Sequence, residues 1–320
     1  MRAISTSGSG LVDVDVPEPQ LRPHDLLVQV EAVSVNPVDV KIAASAGDER
    51  RILGFDAAGT VVRAGPEVTG FTVGDEVYYS GDVTRQGADA ELHAVDARIA
   101  GHKPGNLSMA EAAAVPLTTI TAWESLFTHF GADAGTTGTL LVVGAPGGVG
   151  SMLVQLAKQL TSLRVIGTAS RPETRERVLA LGGDATVDHR SLAASVKDVA
   201  PDGVDFLFSP FSEGNIETYA EIVKPFGHVV AIDDHHVDVF PLKSKSIAWH
   251  WELMFTHAIY QTPDMASQGR LLDETARLLD EGRLRTTLGT EIADFSAAGL
   301  RRAHELVADG KAVGKVVVTR

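Results

Sequence analysis

The chain has no cysteine in 320 residues. That excludes disulfides, thiolate metal sites and cysteine nucleophiles together. No apolar run approaches the roughly 18–20 residues needed to span a bilayer. Met1 to Gly10 lacks a basic region followed by an apolar core, so no secretory signal is read there and a cytoplasmic location is expected. Positive charge is also short: 28 Lys and Arg face 42 Asp and Glu, a net charge of −14. With no basic stripe, an extended phosphate backbone would be repelled, which argues against nucleic acid as a partner. The same field opposes any anionic cofactor, so a phosphate site must carry local positive potential of its own. Repeats and low-complexity tracts are absent.

What remains is the composition of a soluble globular protein, 44% hydrophobic and 22% charged. Its length favours two domains over one core. The first hundred residues read as short strands, Leu26–Val35, Gly59–Arg63, Glu76–Tyr79 and Ala90–Val95, punctuated by Pro and Gly. This is an all-β, barrel-like region. Ser108 to Ala114 reads as a helix, with Ser108 and Glu111 spaced as a capping box. From Thr139 the pattern alternates strand and helix. The strands are Thr139–Val143, Arg164–Ala169, Ala185–Val187, Val204–Phe208, His228–Ile232 and Ser246–Trp251. Such alternation predicts a parallel sheet covered on both faces. A helix is expected from Asp264 to Leu279, and a last apolar strand, Lys315–Thr319, is expected to return to the first domain.

The segment Gly144-Ala145-Pro146-Gly147-Gly148-Val149-Gly150 lies between a buried strand and an amphipathic helix. Gly147 lets a backbone approach a pyrophosphate and Gly150 lets the helix pack close to the strand. The helix start then supplies free N–H groups and a favourable dipole. Ala145 stands where the strict pattern has its first glycine. The second strand ends without the Asp or Glu that would bond ribose hydroxyls. Ser170 and Arg171 follow it, with Arg175 nearby, and such groups suit a 2′-phosphate. NADP(H) is therefore expected over NAD(H).

Several further motifs occur in order: Val33-Ser34-Val35-Asn36-Pro37-Val38-Asp39-Val40-Lys41, Gly54-Phe55-Asp56-Ala57-Ala58-Gly59, Val73-Gly74-Asp75-Glu76-Val77, Ala112-Ala113-Ala114-Val115-Pro116-Leu117-Thr118 and Val313-Gly314-Lys315-Val316-Val317-Val318. Together with the glycine loop they resemble the medium-chain dehydrogenase/reductase superfamily, in its quinone oxidoreductase-like branch. The resemblance covers nearly the whole chain. It implies an α/β protein in which a GroES-like β-barrel catalytic domain, residues 1–116 and 264–320, flanks a Rossmann doubly wound parallel-sheet domain, residues 117–263, that binds NADP(H). Zinc-dependent members of the superfamily carry Cys and His on the catalytic ion. Here Asn36, Phe55 and Leu117–Thr118 stand at or near those positions, and Asp39 with Asp56 does not make a set of about three ligands. No metal site is expected.

Without zinc no Lewis acid polarises an alcohol or ketone oxygen. The resemblance then implies reduction of a quinone or an α,β-unsaturated carbonyl compound by hydride from NADPH. An NADPH-binding protein acting structurally or as a redox sensor is the alternative, and the missing ligands disfavour a zinc alcohol dehydrogenase. The resemblance places Asn36, Asp39 and Lys41 beside the nicotinamide and favours that role over ordinary turn chemistry, which Asn-Pro and Asp also suit. Asp39 is read as a group that orients Lys41. Tyr79 is a candidate proton donor or a packed barrel residue. Thr118 either contacts the nicotinamide or caps a helix. His189 falls near the expected adenosine phosphate, while Ser209 and Ile232 follow strand ends where open α/β sheets bind ligands. His235-His236 among acidic residues reads as a solvated loop. Trp249 to Trp251 is expected on an edge strand through which relatives form homodimers.

Overall fold

The computed structural model describes every residue except Ser9 and Lys311. It divides into two compact units, Met1–Ile120 with Phe255–Arg320 and Thr121–Met254.

The first unit opens with a hairpin, β1 (Arg2–Ser7) and β2 (Gly10–Asp15), a two-stranded sheet tied to the rest of the unit by bridges from Ala3 to Ala90 and from Ser5 to Ile52. Then come β3 (Asp25–Val35), α1 (Pro37–Ser45), β4 (Ala57–Ala64), β5 (Glu76–Tyr79), β6 (Leu92–Asp96), β7 (Ala100–His102), α2 (Met109–Ala113) and α3 (Pro116–Trp123). β3 has its apolar residues buried on both faces, Leu26, Leu27, Val28, Val30, Val33 and Val35. It can do so because it is the hub of the sheet: β4, β6 and the C-terminal strand all pair with it. Ser108 and Glu111 form the expected capping box at the start of α2.

The second unit holds β8 (Thr139–Val142), α4 (Gly148–Leu160), β9 (Arg164–Thr168), α5 (Pro172–Ala180), β10 (Ala185–Val187), α6 (Leu192–Val199), β11 (Val204–Ser209), α7 (Ile216–Ile222), β12 (Val223–Ala231) and β13 (Ala248–Trp251). The sheet is parallel throughout, in the order β10-β9-β8-β11-β12-β13. Counted within the unit this is 3-2-1-4-5-6, the doubly wound order whose reversal between β8 and β11 marks the ligand crevice at the strands' carboxyl ends. The expected parallel α/β domain is thus present. Strand boundaries moved where single residues dictate. Ser246 sits in the left-handed region at φ 50°, so β13 starts only at Ala248. β12 starts five residues earlier than the apolar run suggested, and Lys224-Pro225-Phe226-Gly227 is carried inside it across a register shift against β11.

The chain then re-enters the first unit through α8 (Thr256–Tyr260), α9 (Ala266–Asp280), β14 (Leu288–Ile292), α10 (Ala297–Ala308) and β15 (Lys315–Thr319). β15 fills the place between β14 and β3, antiparallel to β3. Helix α10, not anticipated from the sequence, is capped by Ser296 and buries Ala297, Leu300 and Ala303. No described helix is long and apolar enough to cross a membrane.

Candidate functional site

In the second unit the glycine loop leaves β8 and enters α4. Gly144 adopts φ 71°, a conformation that favours glycine, and its N–H donates to Thr168 Oγ1 at 2.9 Å. Gly147 is the extended N-cap of α4. A Cβ on Gly150 would lie 2.4 Å from the Gly144 carbonyl oxygen and 2.6 Å from Ala145 Cα, so no larger residue fits that crossing. Ala145 is fully buried. Its methyl is accommodated because the facing position on β9 is Gly167, where a Cβ would come within 2.7 Å of it. The compensation across two strands explains how the loop departs from the strict glycine spacing. Gly147, Gly148 and Val149 stay partly open at the rim, and the first-turn N–H groups of a helix have no intrahelical acceptor. A diphosphate fits this chemistry.

β9 and β10 end in register, Thr168 opposite Val187. Their trailing segments therefore leave the sheet side by side. Arg171 is the N-cap residue of α5, half-exposed, with Nε 3.3 Å from Glu173. Ser170 precedes it, partly exposed. Arg175, one turn into α5, points toward Asp188 at 3.7 Å. His189 opens a short 3-10 turn, His189–Ser191, after β10. Ser170, Arg171, Arg175 and His189 thus share one end of the sheet with the glycine loop.

Ser209 is fully buried. Its hydroxyl oxygen accepts the Phe211 N–H at 2.9 Å and lies 2.6 Å from Tyr219 Oη. Tyr219 in turn donates to the Phe211 carbonyl at 2.6 Å. This closed ring shapes the turn after β11 and engages the Ser209 side chain within the chain. Ile232, partly exposed, is tied by its N–H to the Ser209 carbonyl at 3.1 Å. Next to it Asp233 accepts both the N–H and the hydroxyl of Ser212, at 2.8 and 2.6 Å.

In the first unit, Asn36, Asp39 and Asp56 converge with Lys315, all buried. The Lys315 ammonium donates to Asn36 Oδ1 and to the Val35 carbonyl, and lies 3.3 Å from Asp56 Oδ2. Asn36 Nδ2 donates to the Ser34 carbonyl at 3.1 Å and to Asp56 Oδ2 at 3.3 Å. Asp56 Oδ1 accepts the Leu117 N–H at the start of α3, at 3.1 Å. Asp39 accepts the Asn36 N–H at 2.8 Å and the Gly54 N–H at 3.0 Å, one on each oxygen. Burial pushes both Asp39 and Asp56 up to about 6 and Lys315 down, against the opposing pull of their mutual attraction. The expectation that Asp39 orients Lys41 is corrected: Asp39 faces inward, Lys41 is exposed, and residues two apart on a helix do not face each other. Thr118, also buried, donates its hydroxyl to the Val115 carbonyl at 3.1 Å.

Tyr79 is fully buried and lies 3.0 Å from His93 Nδ1. Since His93 Nε2 faces the Gln86 carbonyl at 3.0 Å, the ring proton is assigned to Nε2 and Tyr79 donates to Nδ1. Burial raises Tyr79 above the ordinary phenol range and pushes His93 down to about 4. Tyr78 is equally buried, its hydroxyl donating to the Leu272 carbonyl at 2.5 Å.

Sequence reasoning missed Lys315 as a site residue and did not pair it with Asp56. The available signal was a lysine beginning an otherwise apolar strand. It also missed Glu252, buried after β13 with Oε2 2.7 Å from His129 Nε2. Burial pushes Glu252 up to about 8, only partly offset by a hydrogen bond with Glu124, and lowers His129 as well. Both shifts favour a protonated carboxyl donating to a neutral imidazole. The folded Glu252 thus binds a proton that an unfolded glutamate has already lost. Glu252's own contribution to stability is therefore expected to fall as pH rises toward 8, opposite in sign to that of the histidines whose pKa burial lowers. Between pH 6.5 and 8, above the titration of Asp39 and Asp56, the fall in the Glu252 contribution should be about 1.5 kcal/mol. Urea unfolding of wild type and Glu252→Gln at those two pH values checks it: the stability advantage of wild type over the variant should shrink by that amount from pH 6.5 to 8, and an unchanged difference would count against this assignment.

Comparison with known proteins places these features in context. Residues 22–125 match the model of an alcohol dehydrogenase GroES-like domain. Residues 181–318 match that of a zinc-binding dehydrogenase. A zinc-type alcohol dehydrogenase-like protein of Staphylococcus aureus (strain MSSA476) is 37% identical over 303 residues, covering 92% of this chain and 90% of the relative. The 2-methylene-furan-3-one reductase of Solanum lycopersicum is 30% identical over 336 residues, covering 99% and 79%. The chloroplastic NADPH-dependent alkenal/one oxidoreductase of Arabidopsis thaliana is 32% identical over 251 residues, covering 72% and 62%. Among solved structures, a putative zinc-dependent alcohol dehydrogenase from Rhizobium etli CFN 42 superposes with a TM-score of 0.95 at 45% identity, covering 100% and 98%.

Proposed function

This chain belongs to the medium-chain dehydrogenase/reductase superfamily of oxidoreductases, and from that premise we propose that it reduces a quinone or an α,β-unsaturated carbonyl compound, using NADPH and no zinc. The cofactor class is NAD(P). The 2′-phosphorylated form is favoured by Ser170, Arg171 and Arg175 at the end of β9, where a carboxylate would serve NAD. The diphosphate would lie against Gly144, Ala145, Gly147, Gly148 and Val149, with His189, Ser209 and Ile232 bordering the adenosine and ribose path and Thr118 toward the nicotinamide. When bound, NADPH supplies a hydride.

The observation that carries the zinc-free reading is the donor set around Asn36. An amide, the Phe55 ring and a leucine–threonine pair stand where the zinc-dependent members have thiolate and imidazole. All four carboxylate oxygens of Asp39 and Asp56 are hydrogen-bonded, and Lys315 already places a cation on Asp56. No group of three or more His, Cys, Asp or Glu able to hold a metal occurs among the described residues. Such a set does not fit a zinc ion. With no Lewis acid, an activated double bond is the better hydride acceptor than an unactivated ketone. A quinone is itself a cyclic enedione, so one site chemistry serves both substrate classes.

This chain's residues then orient and exclude water. The Lys315–Asn36–Asp56 network fixes the turn after β3 and the start of α3 as one rigid corner. Because the Asn36 amide N–H groups are both engaged, Asn36 serves as a fixed wall of that corner and not as a free donor to substrate. Lys41 is kept as a candidate for contact with substrate, whereas Tyr79, fully buried and bonded to His93, takes the packing role. We further propose a homodimer through β13, whose edge carries the half-exposed Trp251.

Purified protein should oxidise NADPH with a panel of quinones and enones, bind NADPH at least about tenfold tighter than NADH, and keep its activity after exhaustive chelation. Tight NADPH binding with no turnover on any acceptor would favour a sensor or structural role instead. Activity lost on chelation and restored by zinc would overturn the zinc-free reading.

A further inference from the structure

Asp188 lies at the carboxyl end of β10, beside the segment that carries Ser170 and Arg171. A carboxylate there threatens a 2′-phosphate by direct repulsion. Asp188 is not left bare, however. Its Oδ1 accepts the Arg190 N–H at 3.0 Å and Arg190 Nε at 3.0 Å. Its Oδ2 accepts Arg190 Nε at 3.2 Å and Nη2 at 2.5 Å. Arg175 approaches the same oxygen at 3.7 Å from α5. The Asp188 side chain is only 18% exposed, while that of Arg190 is 70% exposed. The guanidinium therefore covers the carboxylate on its solvent side. Around this end of the sheet three arginines, Arg171, Arg175 and Arg190, meet two carboxylates, Glu173 and Asp188. The balance is positive by one charge in a chain of net charge −14, and loss of Arg190 would bring it to zero while uncovering Asp188.

We propose that Arg190 is a specificity-determining residue for the phosphorylated cofactor, acting by masking Asp188. With Arg190 in place the site presents a neutralised carboxylate and two further guanidinium groups to a 2′-phosphate. Without it, Asp188 is exposed as an anion next to the phosphate and becomes a hydrogen-bond acceptor suited to ribose hydroxyls. The pairing is also geometric: Asp188 takes the Arg190 fork on both oxygens, which holds the short turn after β10 in one shape. The Arg190 hydrogen bonds outweigh desolvation and hold Asp188 well below the usual carboxylate range.

The inference rests on the NADPH reading above, and the test separates the two. Dissociation constants for NADPH and NADH are measured by calorimetry on the full chain and on R190A, D188N and the double variant. R190A should lower the NADH-to-NADPH ratio of dissociation constants at least tenfold, mostly by weakening NADPH. The double variant should return to within about threefold of wild type, because no anion remains to be masked. An unchanged ratio in R190A overturns the proposal. A double variant as impaired as R190A also overturns it, since Arg190 would then act on the phosphate directly. Equal wild-type affinities for the two cofactors would sink the NADPH reading, and the R190A shift would still decide this one. The residues are surface residues, so folding is expected to survive each change.

Discussion

Replacing Lys315 by Met is expected to destabilise the protein by about 3–5 kcal/mol, the cost of breaking a buried ion pair from one side. Lys315 is 5% exposed and Asp56 is fully buried. Removing the ammonium leaves Asp56 as an uncompensated buried charge and strips Asn36 Oδ1 and the Val35 carbonyl of a donor. The loss should depend on pH with a defined sign. Without Lys315, burial of Asp56 is opposed only by the Leu117 and Asn36 hydrogen bonds, and its carboxyl takes up a proton at a higher pH than the wild-type value of about 6. K315M should therefore be less impaired at pH 5, where Asp56 is neutral, than at pH 8, where it must ionise or hold a costly proton. Adding Asp56→Asn should recover at least half of the loss, since a neutral amide still accepts the Leu117 N–H. Urea unfolding of the two variants at both pH values measures this. A K315M variant within about 1 kcal/mol of wild type would show that the pair lies outside the stable core.

The glycine loop offers the second large effect, and two glycines separate its two tasks. Gly150→Ala places a methyl against Gly144 O and Ala145 Cα, both backbone atoms that cannot move aside. Overpacking of this kind costs about 1–3 kcal/mol, and the displaced loop should weaken NADPH binding at least tenfold. Gly147 is different. Its φ of −73° suits any residue and a Cβ there meets only the Gly144 carbonyl at 3.3 Å. Gly147→Ala should leave thermal stability nearly unchanged yet still weaken NADPH binding about tenfold or more, because the methyl occupies the approach to the diphosphate. Thermal melts and cofactor titrations on both variants test the pair. If Gly147→Ala binds as tightly as wild type, the diphosphate does not lie against that residue.

Much of this protein is written locally. The parallel sheet follows from β-branched runs alternating with amphipathic helices, because each such strand must be covered on both faces. The loop between β8 and α4 is legible because its glycines answer steric demands made by atoms a few residues away. The capping box at Ser108 and Glu111 is likewise a matter of four residues and their own hydrogen bonds. Lys315–Thr319 announced itself as a strand by its valines.

What the tertiary structure alone decided are contacts between residues far apart in the chain. Asn36 and Asp39 drew notice as a polar turn, but their partners are Asp56 and Lys315, the latter 279 positions beyond Asn36. Nothing in the local sequence says that a lysine at the start of the last strand will meet them. Asp188 and Arg190 are neighbours in sequence, yet their meaning depends on β10 lying beside β9. Ala145 looked like a flaw in a motif until Gly167 was found facing it. The distinction is physical: backbone propensity, capping and loop sterics act over a few residues, whereas the charge of a buried group is settled by whatever the folded chain brings within a few ångströms of it.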